Sequence, residues 1–223
     1  MSSPGGDGET ALRMVRSVQL RCRGLTVVVP DMARSAATIL CLGAHHILMG
    51  PGGDLGPIGP QMLFPGGDGK PAVASPAVAS AKEVVAAVAE AEERIKVNPD
   101  SFPLFASLLS DATMLMVEQA RAALSRSGAL MQEASRAQGR SEEDVQSIGL
   151  QTLEEPLIDA PASHSAVISV DHAAGCGLPA DRADVGSERW RLIWRLRTRH
   201  CALGCWPMGG RAIHEGARAS HAG

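Results

Sequence analysis

The run Leu25-Thr26-Val27-Val28-Val29, closed by Gly24 before it and Pro30 after it, leaves the chain little choice of local structure. An unbroken row of mostly β-branched residues suits a strand covered on both faces, and such strands belong to parallel sheets with helices packed on them. Pro30 cannot donate to a ladder and ends the strand. Small residues follow, Ala33, Ser35, Ala36, Ala37 and Thr38, leading into Ile39, Leu40 and Leu42, so the chain turns from strand into helix where side chains are smallest. A second short apolar strand is expected at Ile47-Leu48-Met49. Upstream, Leu12, Val15, Val18 and Gln19 recur at near-helical spacing between Glu9 and Cys22. Helix, strand, helix, strand is the βαβ order, and right-handed crossovers make the sheet parallel.

The chain has 223 residues, of which 45% are apolar, enough to bury the core of one domain, which is expected to span residues 1–200. After Gly204 no periodicity is left, and residues 201–223 are expected to be a loose tail. A net charge of −3 supplies no basic field for nucleic acid. Arg189, Arg191, Arg195, Arg197 and Arg199 fall on a helical pattern from Ser187 to Thr198, with Trp190, Ile193, Trp194 and Leu196 on its apolar side, so the arginines read as a solvated face. The five cysteines, Cys22, Cys41, Cys176, Cys201 and Cys205, form no CxxC pair or regular framework, which suits a reducing compartment. His200, Cys201 and Cys205 lack the second ligand pair that a zinc site needs, so no metal and no cofactor is expected. No apolar run is long enough to span a bilayer, and the start MSSPGGDGE has neither a basic region nor an apolar core. The expectation is a cytoplasmic protein without membrane association.

Further along, PGGD recurs at Pro4, Pro51 and Pro65 without a fixed period, which reads as three turns, and Pro65 to Pro76 reads as a surface loop. Ser80 followed by Glu83 is a capping-box signature for a helix running to Val97, stopped by Asn98-Pro99. Leu104 to Arg126 reads as one long helix ended by Gly128, with Met114 and Met116 as packing residues. Ser141-Glu142-Glu143-Asp144 opens another helix that ends before Pro156, and the stretch from Ser163 to Leu178 reads as a turn into a helix ending in Gly-Leu.

Ser35 stands at the strand-to-helix junction, where unpaired N–H groups of a helix start favour negative charge. That is a nucleophile's place and equally an ordinary helix cap's place. Its flanks carry two further motifs. Ser3-Pro4-Gly5-Gly6 lies upstream and Leu55-Gly56-Pro57-Ile58-Gly59-Pro60-Gln61 lies downstream. In this order the three stretches resemble the Ser-Pro-Gly-Gly turn, the Ser-Ala-x-Thr helix start and the Leu-Gly-Pro-Ile-Asp-Pro-Gln loop of the serine dehydrogenase proteinase family. That family is similar to signal peptide peptidase A and, more distantly, to the Clp protease subunit and crotonase. The resemblance runs from Ser3 to about Thr198, and because strands and a helix precede the Gly-Gly turn in the family, the chain looks like an N-terminally shortened member.

The resemblance implies a crotonase-like or Clp-protease-like α/β fold, a parallel sheet with crossover helices plus C-terminal helices. It also implies a serine peptidase acting on a peptide or protein substrate, and a homo-oligomer. Ser35 would be the nucleophile. A hydroxyl needs a base, and Ser-Lys proteases of this kind place a lysine some tens of residues later, near the start of a following helix. Lys82 matches that location, in the first turn of the Ser80 helix, and Lys70 is the second choice. Gly5 and Gly6, with no Cβ, would present N–H groups to the developing oxyanion together with Ala36, while Gly56, Pro57 and Ile58 would line the substrate groove.

The sequence departs from the family at Gly59, where Asp is usual, and at His45-His46, where Asp-Glu is usual. These departures keep a second reading open, an inactive member acting as an interaction or assembly protein. A crotonase-type acyl-CoA enzyme is a third reading, against which the serine at position 35 argues.

Overall fold

A computed structural model describes residues 1–64, 77–110, 112–137, 157–158 and 166–202, with the backbone alone at 63–64, 77–78, 213–215 and 220–222. The protein is mixed α/β with a small parallel sheet. Its elements in chain order begin with α1 (Gly8–Gln19), β1 (Thr26–Val29), β2 (Met32–Ala33), α2 (Ala36–Leu42), β3 (His46–Met49), β4 (Asp54–Leu55), β5 (Gln61–Phe64) and β6 (Ala77–Ser80). There follow α3 (Ala81–Val97), a 3-10 turn at Pro99–Ser101, α4 (Phe102–Leu108), α5 (Met114–Arg136), α6 (Val170–Gly175), β7 (Ala180–Arg182) and α7 (Glu188–Ala202). Two short strands, β8 (Ile213–Glu215) and β9 (Ser220–Ala222), pair antiparallel in the C-terminal segment.

Three strands form the central sheet in the order β1-β3-β7, all parallel, with Val27 opposite Ile47 and Ile47 opposite Ala180. A second, smaller parallel pair joins β2 to β4. β5 and β6 pair antiparallel. The crossover from β1 to β3 runs through β2 and α2, which satisfies the βαβ pattern read from the sequence.

The strands are less covered than expected. Along β1 the residues alternate, Val27 and Val29 buried with Thr26 exposed and Val28 half-buried, and β3 alternates in the same way. One face therefore carries the core, while the other is only partly covered. The core on that first face gathers Leu12 of α1, Ile39 and Leu42 of α2, Ile47 and Met49 of β3, Leu55 of β4 and Met131 of α5. Each such side chain contributes on the order of 1.5–3 kcal/mol by leaving water. A smaller cluster of Ala81, Val84, Val117 and Ala120 lies between α3 and α5 with Met62 and Ala79, and Leu124 packs against both clusters.

Local signals account for most helix ends. Asp7 caps α1 by accepting from the Thr10 N–H at 2.8 Å. The Ser80 hydroxyl accepts from the Glu83 N–H at 3.1 Å while the Glu83 carboxylate accepts from the Ser80 N–H at 2.8 Å, completing the capping box. Arg126 of α5 pairs with both Glu9 and Glu133, tying α5 to α1.

The long helix expected over Leu104 to Arg126 is in fact two. α4 ends at Leu108, and Thr113 starts α5 by accepting from the Met116 N–H at 3.2 Å. A hydroxyl that can cap competes with helix continuation, so Thr113 starts a new helix instead of continuing α4. Gly128 does not end α5 but lies buried inside it, and the helix continues to Arg136. The helix expected after Ser141 and the loop Pro65 to Pro76 lie outside the described residues. No helix among the described residues is long and apolar enough to cross a membrane.

Asp31, just past β1, joins the N-terminal segment to the last helix. Its carboxylate accepts from the Ser2 hydroxyl, the Arg197 guanidinium and, at 2.8 Å, the Met32 N–H. Burial pushes this carboxyl up, but the bonds from Arg197, Ser2 and Met32 outweigh it and hold the group below its ordinary value of 3.8. A carboxyl lowered in the folded state binds protons more readily when unfolded, so its contribution is present above that value and lost as the pH falls. Asp31→Asn is therefore expected to lower stability by about 1–3 kcal/mol at pH 7. The deficit should shrink on acidification below the ordinary aspartate value, as read by urea denaturation at several pH values.

Candidate active site

The second parallel layer builds the candidate site. β2 lies in the middle of it: Met32 and Ala33 face Asp54 and Leu55 of β4 on one side, and Ser3 bridges Ala33 in parallel on the other. The Ser3 N–H donates to the Met32 carbonyl at 3.0 Å and the Arg34 N–H donates to the Ser3 carbonyl at 3.1 Å. β4 in turn bridges Ile168 antiparallel, with both backbone bonds formed. The Ser-Pro-Gly-Gly turn and the Leu-Gly-Pro loop thus leave this layer on either side of the β2–α2 corner.

Ser35 is that corner. It has φ 51° and ψ −117°, and no other non-glycine among the described residues has a positive φ. Such a conformation costs of order 1–3 kcal/mol and persists only where its surroundings impose it. The cap reading of the sequence is not realised, since the Ser35 side chain makes no capping bond to α2. Its carbonyl instead accepts from the N–H groups of Thr38 at 2.9 Å and Ile39 at 3.2 Å. The side chain is half-buried, and its hydroxyl forms no hydrogen bond among the described residues.

Gly5 lies directly against this serine. It has φ +119°, and a Cβ there would come within 3.0 Å of both the Arg34 carbonyl oxygen and the Ser35 Cβ. Its N–H, however, already donates to the Ser3 hydroxyl at 3.2 Å. Gly6, at φ +154°, borders open space. Ala36 is the first residue of α2, and its N–H has no acceptor among the described backbone groups.

On the other side, Gly56 donates to the Ala33 carbonyl at 2.9 Å and packs so closely on Arg34 that a Cβ would meet the Arg34 Cγ at 2.7 Å. Pro57 and Ile58 are buried, and the Ile58 N–H donates to the Leu157 carbonyl at 2.8 Å. These two residues are therefore fixed in the interior beneath the loop.

Lys82 is the second residue of α3 and is half-buried. Its helix is fastened to the end of the same loop, because the Ala81 N–H donates to the Pro60 carbonyl at 2.9 Å. It belongs, though, to the smaller cluster between α3 and α5, whereas Ser35 stands over the main core. The structure sets Gly5 against Ser35 and Gly56 against Arg34 beside it, and among the described residues no hydrogen bond joins Ser35 to Lys82. Lys70 lies outside the described residues.

His45 and His46 sit at the opposite end of the sheet from Ser35, where β3 begins. The Leu25 N–H donates to His45 Nδ1 at 3.0 Å, and His46 Nε2 lies 2.9 Å from the Asp181 carboxylate.

Sequence reasoning did not find the pair next to the serine. The Arg34 guanidinium donates to Asp54 at 3.1 Å, with both side chains largely buried. Burial pushes the Asp54 carboxyl above its ordinary range despite Arg34, and its Oδ1 has no hydrogen-bond partner among the described residues. The two residues directly precede Ser35 and the Leu55-Gly56 loop respectively, yet nothing in their spacing reveals that β2 and β4 are neighbours. No family model, no curated protein and no solved structure matches this chain.

Proposed function

We propose that the protein is a serine peptidase of the Ser-Lys type, built on a crotonase-like or Clp-like framework and working as a homo-oligomer in the cytoplasm. The single observation that carries this reading is the backbone of Ser35. A serine forced to positive φ at a strand-to-helix turn, with its hydroxyl neither capping the helix nor bonded to another described residue, is the arrangement that exposes a nucleophile.

In this reading Ser35 Oγ attacks the scissile carbonyl carbon of a peptide or protein substrate, and Lys82 takes the hydroxyl proton and returns it to the leaving amine. The oxyanion is held by the N–H groups of Gly6 and Ala36. Gly5 supplies the close approach rather than a donor, since its own N–H is engaged by Ser3. The loop from Leu55 to Pro60 is the substrate's neighbour, held by the buried Pro57 and Ile58. Lys82 and Ser35 must close to hydrogen-bond reach on substrate binding, as catalytic pairs often do.

The engaged Gly5 N–H, the unjoined dyad and Gly59 favour a second reading, an interaction or assembly protein that keeps the framework without the chemistry. A fluorophosphonate probe separates the two. Covalent labelling of the folded protein that disappears in Ser35→Ala is expected, and Lys82→Ala should slow labelling by at least about a hundredfold. A folded protein that stays unlabelled selects the second reading, and labelling that survives in Lys82→Ala moves the base elsewhere. Gly5→Ala places a methyl against the Arg34 carbonyl at an unfavourable φ, so labelling should fall at least about tenfold while stability falls by about 1–2 kcal/mol. Probe kinetics and thermal melts on the same samples check both.

A further inference from the structure

The last helix does more than present a solvated basic face. Trp190, Arg191, Trp194 and Arg195 of α7 form one stripe at i, i+4 spacing, and the stripe lies over Pro30 and Pro51, the residues that follow β1 and β3. Between them is an open cleft of about 580 Å³ at the carboxyl ends of the parallel strands. That volume is in the range of small-molecule sites, and the carboxyl edge of a parallel sheet is where such sites recur.

The chemistry of the lining is specific. Trp190 is buried, with its ring edge against Gly50, and forms the floor. Trp194 remains 44% exposed, with its ring centroid 6.0 Å from that of Trp190 at 30° between planes. The acid group bordering the cleft, Asp31, is already committed to Arg197, whose guanidinium also stands 4.9 Å from the Trp194 ring centroid. Arg191 and Arg195 form no ion pair among the described residues. The cleft thus offers an apolar aromatic wall and two guanidiniums not matched by carboxylates among the described residues, on a chain whose net charge is −3. That local excess of positive charge excludes a cation and favours an anion over a neutral body of the same shape.

We propose that this cleft binds a small organic anion, an apolar planar body stacked against Trp194 that carries one carboxylate or sulfonate toward Arg191 and Arg195. The proposal is independent of the chemistry at Ser35. The probes are 8-anilinonaphthalene-1-sulfonate and N-phenyl-1-naphthylamine, which share their rings and differ in the acid group. Each is titrated into the full chain while tryptophan fluorescence is read.

The sulfonate is expected to quench that fluorescence and to bind about tenfold more tightly than the neutral dye. Arg191→Gln combined with Arg195→Gln should remove the difference, and Trp194→Ala, an exposed position, should weaken both dyes about tenfold with circular dichroism unchanged. Equal affinity of the two dyes for the unaltered protein would overturn the anion preference. Sulfonate binding indifferent to Trp194→Ala would place the dye elsewhere and overturn the site.

Discussion

The hydroxyl of Thr38 holds the corner on which the candidate site depends. It is fully buried, in the first turn of α2, and lies 2.8 Å from the Ala33 carbonyl and 2.7 Å from the Gly56 carbonyl. One proton serves two acceptors, one at the end of β2 and the other in the loop after β4. Strand, loop and helix are thereby fixed to one another within a few ångströms, and the chain between Ala33 and Ala36 has only two residues in which to reverse direction. Ser35 absorbs that reversal in its φ. The cost of that conformation is offset by what the tight corner permits, the burial of Ile39, Cys41 and Leu42 against the central sheet. The Cys41 thiol is so enclosed that burial pushes it up to about 12, which leaves it inert as a nucleophile and marks how dry this face of α2 is.

Two aspartate–arginine pairs flank the corner, and they are not equivalent. Asp31 collects three donors and sits below its ordinary range, which is the behaviour of an anchor whose charge is fully met. Asp54 has Arg34, one unpartnered oxygen and a carboxyl pushed up by burial. A buried carboxylate oxygen with spare acceptor capacity thus stands beside the residue preceding Ser35.

How far the sequence disclosed this arrangement depended on whether the governing contacts were local. The βαβ order, the capping box at Ser80 and the helices from Gly8, Ala81 and Glu188 follow from periodicity and capping within a few residues, and they appear where those signals put them. β2, β4 and β7 are two or three residues long and draw their definition from partners 20 or more residues away, such as Asp54 for Met32 and Ile47 for Ala180, so no local pattern announces them. The break between α4 and α5 was hidden because apolar spacing continues across it while a single capping hydroxyl decides the outcome. At the candidate site, Ser35 was legible as a junction residue, but its strain was not, because the corner around it is held by long-range bonds such as that from Thr38 to the Gly56 carbonyl 18 positions away.

The relation between the two apolar clusters then governs what the serine can do. α3 reaches the Ser35 side of the molecule through the Pro60 carbonyl at its first N–H, and through α5, whose Leu124 touches both clusters. The smaller cluster is Ala81, Val84, Val117 and Ala120, with Met62, Val85, Val88 and Leu124 packed against it, so α3 is held to the main core chiefly through α5. Ser35, with Gly5 against its Cβ and its carbonyl bonded to Thr38 and Ile39, is fixed by the corner, whereas Lys82 stands on α3, whose first N–H is bonded to the Pro60 carbonyl at the end of the neighbouring loop. The strained serine thus belongs to the corner over the main core, while the helix that carries Lys82 packs on α5.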